Sequence, residues 1–290
     1  MLFRSMDVLC TDKTGTLTEA KIRLERHLNL DGQDSPRVLE LAYINSFFET
    51  GLKSPLDEAI LNHQTIDVST WQKIDEIPFD FERRCVSVLV DNGTQRWLVA
   101  KGAAEDIVRL CTQVEVNVEG RIEPHDIDDA HLQTIQDRYH ALERDGLRVL
   151  GVAWREVPRD HAVAVVNDES ALVLAGFAAF LDPPKESAAP ALASMQQSGV
   201  TIKVVTGDSD LVTRHVCQQL NIEVTGVLTG KEIAQLDDQA LQRRVETANL
   251  FCRVNPGQKQ RVILALKANG HVVGYMGDGI NDAPSLHAAD

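Results

Sequence analysis

The sequence contains no long hydrophobic run, no closely spaced cysteines and no excess of positive charge. No stretch approaches the roughly 20 apolar residues of a membrane-spanning helix, and the longest apolar segments, 171–181 and 188–195, are better explained as a buried strand and a helix. The five cysteines lack C-x-x-C spacing, which predicts reduced thiols and no metal site. A net charge of −14 argues against a nucleic-acid partner, because phosphates would repel such a surface. With 290 residues, two soluble domains are expected.

The most informative segment is residues 10–18, Cys-Thr-Asp-Lys-Thr-Gly-Thr-Leu-Thr. It follows a short apolar stretch with the character of a buried parallel strand. Open α/β sheets bind ligands at the carboxyl ends of their strands, and this turn presents N–H groups and hydroxyls there. A carboxylate at that place can attack the terminal phosphate of a nucleotide and form an aspartyl phosphate. The pattern predicts that Asp12 is a nucleophile, while a plain helix N-cap is the alternative.

Two further motifs provide groups that suit a phosphoryl site. Residues 200–205 form an apolar strand pattern that ends in Thr206, Gly207 and Asp208, a hydroxyl and a tight turn suited to hydrogen-bonding a phosphoryl oxygen. Lys259, which follows a Pro-Gly turn, is placed to neutralise charge on a transferring phosphoryl group. Taken singly, a plain strand-to-helix turn and a solvated lysine are the alternatives.

A third apolar strand pattern, residues 271–276, is followed by Gly-Asp-Gly-Ile-Asn-Asp. Mg²⁺ requires oxygen ligands and usually takes one or two carboxylates together with phosphate and water. Asp278 and Asp12 therefore form a candidate Mg²⁺ pair. An ordinary glycine-rich loop is the alternative for this motif alone.

Together these motifs resemble the P-type cation-transporting ATPases, a branch of the haloacid dehalogenase superfamily, most specifically over residues 6–18 and 274–290. The resemblance implies that Asp12 is the phosphorylated aspartate. It implies Mg²⁺ ligation by Asp12, the carbonyl of Thr14 and Asp278, with Asp282 and Asn281 beside them. It further implies contacts to the phosphoryl group or to the ribose and phosphates of ATP from Thr206, Gly207, Asp208, Lys259, Arg253 and, in the Asp-Pro-Pro-Lys motif, Asp182.

One position distinguishes the chain from phosphatases of the superfamily. These generally carry a second aspartate two residues after the nucleophile as general acid and base, and here that residue is Thr14. An aspartyl phosphate without this base should hydrolyse slowly, which suits a pump. A soluble phosphatase remains an alternative that Thr14 counts against.

The chain between the first motif and Asp182 is long enough for a domain of its own. We expect a phosphorylation domain from residues 1–22 and 178–290 and an inserted nucleotide-binding domain from residues 23–177. Within the insertion, residues 37–48 are typical of an amphipathic helix, and Ser54-Pro55 of a capped helix start. Residues 86–90 and 97–100 flank Asn92-Gly93, which predicts a hairpin.

The resemblance also implies an ATP site in this insertion. Phe79 matches the aromatic residue that stacks on adenine, and Lys101 and Gly102 match the pair that lines the pocket. Asp57 matches an acidic residue near the base, and Arg148 an arginine that reaches toward the phosphates. The alternatives are that Phe79 and Phe81 are core aromatics and that Asp57 is a first-turn helix acid.

The expected fold class is α/β: a discontinuous, Rossmann-like parallel sheet with an inserted α+β domain. The predicted strands are residues 7–11, 173–180, 200–205, 225–228, 248–252 and 271–276. The predicted helices between them are residues 187–198, 209–220, 237–247 and 257–268.

The expected cofactors are ATP and Mg²⁺, and the expected function is that of the catalytic part of a cation pump. Residues 77–84, 181–187 and 208–217 look most like the bacterial Mg²⁺-importing P-type ATPases, although Ser209 stands where that family usually has asparagine. The resemblance implies a place at the cytoplasmic side of the cell membrane and membrane helices that this sequence lacks. The chain is expected to be a soluble piece of a longer pump, truncated in its phosphorylation domain, and an inert nucleotide-binding fragment remains a third hypothesis.

Overall fold

A computed structural model describes residues 5–19, 21–51, 53–118, 120–277, 279 and 282–290. The chain forms two compact units. Unit 1 comprises Met1–Lys21, Arg144–Gly146 and Asp182–Asp290, and unit 2 comprises Ile22–Glu143 and Leu147–Leu181. Within the described ranges, no helix combines the length and the apolar character that crossing a bilayer requires.

We number the elements in chain order. The strands are β1 Val8–Thr11, β2 Arg23–Leu28, β3 Gln72–Ile77, β4 Cys85–Asp91, β5 Arg96–Ala103, β6 Cys111–Val118, β7 Arg121–Asp126, β8 Arg148–Glu156, β9 Leu172–Leu181, β10 Thr201–Val205, β11 Val227–Thr229, β12 Leu250–Cys252 and β13 Val273–Met276. The helices are α1 Pro36–Phe48, α2 Pro55–His63, α3 Ala104–Leu110, α4 Asp129–Arg144, α5 Ala188–Gln197, α6 Asp210–Gln219, α7 Gly230–Gln235, α8 Asp238–Thr247, α9 Pro256–Ala268 and α10 Ala283–Ala288.

Unit 1 contains a five-stranded sheet in the order β11-β12-β10-β1-β13, and every neighbouring pair in it is parallel. Two separate hydrophobic clusters line this sheet. Strands covered on both faces consist of nearly continuous apolar residues, as the fully buried β1 does. The predicted parallel α/β sheet is confirmed, and β1 and β10 lie side by side so that their carboxyl ends meet at one edge.

Unit 2 contains an eight-stranded mixed sheet in which most neighbours are antiparallel. The assignment of residues 173–180 to the parallel sheet is wrong, because β9 pairs with β2 and β8 in unit 2. Both faces of β9 are buried, and periodicity cannot distinguish such a strand from one in a parallel sheet. The unit consequently extends to Leu181, beyond the predicted limit at residue 177.

The local predictions for unit 2 agree with its elements. Ser54 caps α2 in a reciprocal capping box with Asp57, and β4 and β5 form the predicted antiparallel hairpin. Helix α1 differs from the amphipathic expectation, because eight of its positions, from Val38 to Ser46, are buried. It packs against both the sheet and α2.

Candidate active site

Asp12 directly follows β1 and begins a tight turn. Its backbone N–H donates to the carbonyl of Met276 at 2.8 Å, and its carboxylate accepts the N–H of Lys13 at 2.9 Å. Gly15 has φ +74°, a conformation that glycine adopts without steric cost. Asp12 therefore caps this turn, as the N-cap alternative predicted. The same hydrogen bond holds the Asp12 carboxylate at the carboxyl edge of the sheet.

Lys259 lies beside this carboxylate. Its Nζ is 3.2 Å from Asp12 Oδ1 and 2.8 Å from Asp282 Oδ1. Tyr275 donates its hydroxyl to the same oxygen of Asp282 at 2.8 Å. Lys259 is 5% exposed, so the alternative of a solvated lysine is wrong. Helix α9 presents it from the first turn, where Asn255 and Gln258 cap each other.

The environment of Asp12 disfavours its charged form. Burial, opposed by Lys259 and assisted by the neighbouring Asp282 carboxylate, raises the pKa of Asp12 to about 6. With this pKa the carboxylate is mostly ionised at neutral pH and takes up a proton more readily than an ordinary aspartate. Any cation that approaches would favour the ionised, nucleophilic form.

A second buried cluster joins three segments of unit 1. Lys13 Nζ lies 2.8 Å from Asp208 Oδ2 and 3.3 Å from Asp182 Oδ2. Thr18 donates its hydroxyl to Asp182 at 2.7 Å, and the Thr14 hydroxyl is 3.4 Å from Asp208. The structure therefore brings Asp182 and Asp208 together at the turn that Asp12 begins.

Sequence reasoning gave no role to Lys13, Thr18 or Tyr275. The sequence feature that could have indicated Tyr275 is its hydroxyl, the single one in the strand pattern of residues 271–276. Lys13 and Thr18 lie within residues 10–18, but both contact Asp182, which is distant in sequence. Such pairs are not visible in the local pattern.

The turn after β10 is held by hydrogen bonds from two backbone N–H groups. Asp208 donates its backbone N–H to the Thr206 hydroxyl at 3.2 Å, and its backbone carbonyl accepts the N–H of Arg253 at 2.9 Å. Gly207 is exposed, and a Cβ there would meet only the carbonyl of Val254 at 3.7 Å. Ser209, the departure from the resembling family, caps α6 by accepting the N–H of Val212.

The predicted Mg²⁺ ligands are only partly described. Asp278 and Asn281 lie outside the described residues, and within those ranges no group of three acidic, histidine or cysteine side chains is arranged around a metal position. Asp12 and Thr14 offer a carboxylate and a carbonyl, oxygen donors of the kind that Mg²⁺ prefers. The donor set thus fits Mg²⁺ in its chemistry. Asp282 Oδ1 is occupied by Lys259 and Tyr275.

In unit 2, Asp57 and Lys101 form a buried ion pair. Lys101 also donates to the Ser46 hydroxyl at 2.6 Å, and Asp57 accepts the N–H and the hydroxyl of Ser54 at 2.9 and 2.6 Å. Burial by itself would raise the pKa of Asp57, but Lys101, Ser54 and Ser46 outweigh it, so the pKa lies below its usual value. Asp57 is therefore the capping acid of α2 and also the partner of Lys101.

The other predicted nucleotide contacts occupy the sheet and one loop. Phe79 is 49% exposed, and its ring meets that of Phe81 edge-on at 5.5 Å, so the core-aromatic alternative is wrong. Gly102 is required by close packing, since a Cβ there would lie 2.5 Å from the carbonyl of Arg84. Arg148 is half-buried at the start of β8.

Comparison with known proteins gives a consistent result. Residues 23–187 match the family model described as "P-type ATPase, cytoplasmic domain N". The chain is 48% identical over 99% of its length to "Magnesium-transporting ATPase, P-type 1" of Escherichia coli, and 47% identical over 99% to the protein of that name in Salmonella typhimurium. It is 27% identical over 99% to "Calcium-transporting ATPase 1" of Bacillus cereus.

The chain spans about a third of the length of these relatives, 32% of the Escherichia coli protein and 34% of the Bacillus cereus protein. The family match covers more than half of the chain, and the identity to the magnesium-transporting relatives extends over almost all of it. The chain belongs to the P-type ATPase family.

Proposed function

We propose that this chain is the ATP-using part of a P-type cation pump, in which unit 2 binds Mg-ATP and Asp12 of unit 1 accepts the terminal phosphate. The observation that carries the proposal is the buried Asp12 carboxylate at the end of β1, 3.2 Å from the ammonium of Lys259. An acidic nucleophile beside a buried lysine suits transfer of an anionic group.

The proposed step is a direct displacement. An oxygen of Asp12 attacks the terminal phosphorus of ATP, the bond to the bridging oxygen breaks, and ADP leaves with that electron pair. Lys259 neutralises charge on the moving phosphoryl group, and the turn of Thr206 and Gly207 supplies hydrogen bonds to its oxygens. Bound Mg²⁺ would offset the charge of the phosphate oxygens. Thr14 provides no general base, so the aspartyl phosphate persists.

The nucleotide contacts proposed for unit 2 are stacking of adenine on Phe79, lining of the pocket by Lys101 and Gly102, and contact of Arg148 with the phosphates. The partly exposed Phe79 ring supports this role, because stacking requires an accessible face. Asp57 acts by holding Lys101 in place. Asp182 and Arg253 are proposed to contact the ribose and phosphates.

The transported ion and the cellular location belong to the same proposal. The relatives at 47–48% identity are named magnesium-transporting, which supports Mg²⁺ uptake by the full-length pump. The matched family model is a cytoplasmic domain, which supports a place at the cytoplasmic face of the cell membrane.

The test is acid-quenched incubation of the chain with Mg²⁺ and ATP labelled at its terminal phosphate. We expect acid-stable, hydroxylamine-sensitive label on the wild-type chain and on Asp7→Asn, and none on Asp12→Asn. Asp7 is the matched control, an aspartate just before β1 that pairs with His271. Steady hydrolysis of small phosphate esters without label would favour the phosphatase, and ATP binding without label would contradict phosphoryl transfer.

A further inference from the structure

The loop between β8 and β9 in unit 2, residues 157–171, follows a fixed path. Its backbone is held at both ends and in the middle: Val157 donates to the carbonyl of Arg96 at 3.0 Å, Ala164 donates to Asp75 at 2.8 Å, and Ser170 accepts from Arg155 at 2.9 Å. Long connections that keep a defined path are often functional. Its one nearly fully buried carboxylate belongs to Glu169.

Glu169 is 4% exposed and is surrounded by donors. Its two oxygens lie 2.6 and 2.5 Å from Arg83 Nη1, and one of them accepts the hydroxyl of Ser87 at 2.7 Å. The thiol of Cys85 is 3.6 Å from the other oxygen. A buried carboxylate persists only with such partners, so Glu169 and Arg83 fix each other.

Arg83 in turn fixes the segment that carries Phe79. Its guanidinium donates to the carbonyl of Pro78 and to the carboxylate of Asp80, the residues on either side of Phe79. Asp80 also accepts the backbone N–H groups of Glu82 and Arg83 at 2.8 and 2.7 Å. The Arg83 side chain therefore holds the backbone on both sides of Phe79. Glu169, from a loop that is distant in sequence, holds Arg83 in place.

We propose that Glu169 is a positioning residue of the nucleotide site, which acts through Arg83 on the backbone that presents the Phe79 ring. The inference rests on the proposed function, in which that ring stacks on adenine. Because the ring is held in place before adenine binds, ATP binding does not carry the entropy cost of ordering this segment. Removing the Glu169 charge frees Arg83 and lets the Pro78–Asp80 backbone move.

The test is a double-variant cycle with the whole chain, measured by calorimetric titration with ATP. We expect Phe79→Ala to weaken ATP binding about tenfold, within the range of base–aromatic stacking. Glu169→Gln should weaken it about fivefold through the loss of pre-organisation. In the Phe79→Ala background, Glu169→Gln should add less than about a twofold loss, because coupled residues are not additive.

A merely structural role predicts a different result. If Glu169→Gln weakened ATP binding equally with and without the Phe79 ring, or left it unchanged in the wild-type background, the proposal would be overturned. Glu115→Gln, which changes a buried carboxylate paired with Arg37 in the same unit, is the matched control and should not alter ATP affinity. Should Glu169→Gln fail to fold, Ser87→Ala replaces it in the cycle, with a smaller loss in the same pattern. A wild-type chain that binds no ATP would overturn both this inference and the proposed function.

Discussion

In unit 1 most buried charged side chains of the described residues gather at one edge of the parallel sheet, whereas in unit 2 several of them form separate ion pairs. At the edge in unit 1, Lys259 lies between Asp12 and Asp282, and Lys13 lies between Asp182 and Asp208. Parallel strands end at the same edge, so the residues that follow them meet without further arrangement. Antiparallel neighbours end at opposite edges, and the pairs Asp57–Lys101 and Arg83–Glu169 in unit 2 join segments that are distant in sequence.

The difference has a functional consequence. A cluster in which one ammonium lies between two carboxylates suits binding and transfer of a charged group, because neighbouring ionisable groups shift one another's pKa values. An isolated pair such as Asp57–Lys101 or Arg83–Glu169 holds a segment in place. Four comparisons between variants and one final measurement would break or sharpen this contrast.

The largest expected effect is that of Lys259→Met. The change leaves Asp12 and Asp282 buried without their shared ammonium, and we expect a loss of about 3 kcal/mol or more in the stability of unit 1. Phosphoenzyme formation should fall about a hundredfold or more. Hydrogen exchange of α9 and acid-quenched labelling measure the two effects.

The matched control is Lys267→Met in the same helix. Lys267 pairs with Asp290 at a partly exposed position, so its loss should cost less than about 1 kcal/mol. Labelling of Lys259→Met within a few-fold of wild type would refute the role given to the cluster.

The second effect is that of Lys101→Met in unit 2. The uncompensated Asp57 carboxylate should destabilise the unit by about 3 kcal/mol. Urea unfolding followed by tryptophan fluorescence measures this, because all three tryptophans, Trp71, Trp97 and Trp154, lie in unit 2. The double variant Asp57→Asn/Lys101→Met should recover part of the loss. A double variant less stable than the single one would show that the charge is not the cause.

The third comparison uses the same substitution in both units. Gly102→Ala places a Cβ 2.5 Å from the carbonyl of Arg84 and 2.6 Å from Cys85 Cβ, and should cost about 2 kcal/mol through overpacking. Gly207→Ala meets only one atom, at 3.7 Å, and should change stability by less than about 0.5 kcal/mol. Thermal unfolding of the two variants measures the contrast, and equal losses would contradict it.

The smallest expected effect is on the pH dependence of the stability of unit 1. Hydrogen bonds that the His271 ring donates to the carboxylates of Asp7 and Glu246 raise the pKa of His271 above its ordinary value. A pKa raised by folding gives stability that is complete below about pH 6.5, the unfolded value, and that is lost as pH rises through the folded value. His271→Gln should remove this part of the pH dependence of unit 1, measured by hydrogen exchange between pH 5 and 8. His125→Gln, an exposed position in unit 2, should leave it as in wild type, and an unchanged profile in His271→Gln would refute the assignment.

Much of unit 1 was predictable from the sequence, because its site residues directly follow apolar strands. Asp12, Asp208 and Lys259 each stand in a turn or helix start that the local pattern identifies. The same pattern assigned β9 to the wrong sheet, because the sequence of an apolar strand buried on both faces does not indicate which sheet the strand joins. It also gave no role to Lys13, whose carboxylate partners come from other strand ends.

Unit 2 was predictable in its local elements and less so in its tertiary pairs. The capped start of α2 and the hairpin at Asn92-Gly93 follow from short-range turn and capping chemistry. The pairs Asp57–Lys101 and Arg83–Glu169 join residues that are distant in sequence. A single sequence gives no signal for such pairs, and the close packing at Gly102 is equally invisible in it.

The central claim is a division of labour, with phosphoryl chemistry at Asp12 and nucleotide binding at Phe79. The most direct test is a crossed measurement on wild type, Asp12→Asn and Phe79→Ala: fluorine NMR of trifluoroberyllate, a mimic of an aspartyl phosphate, with Mg²⁺, beside calorimetric titration with ATP. We predict that Asp12→Asn loses the trifluoroberyllate signal and keeps ATP affinity, while Phe79→Ala keeps the signal and binds ATP about tenfold more weakly. A trifluoroberyllate signal that survives in Asp12→Asn, or that disappears in Phe79→Ala, would contradict the account.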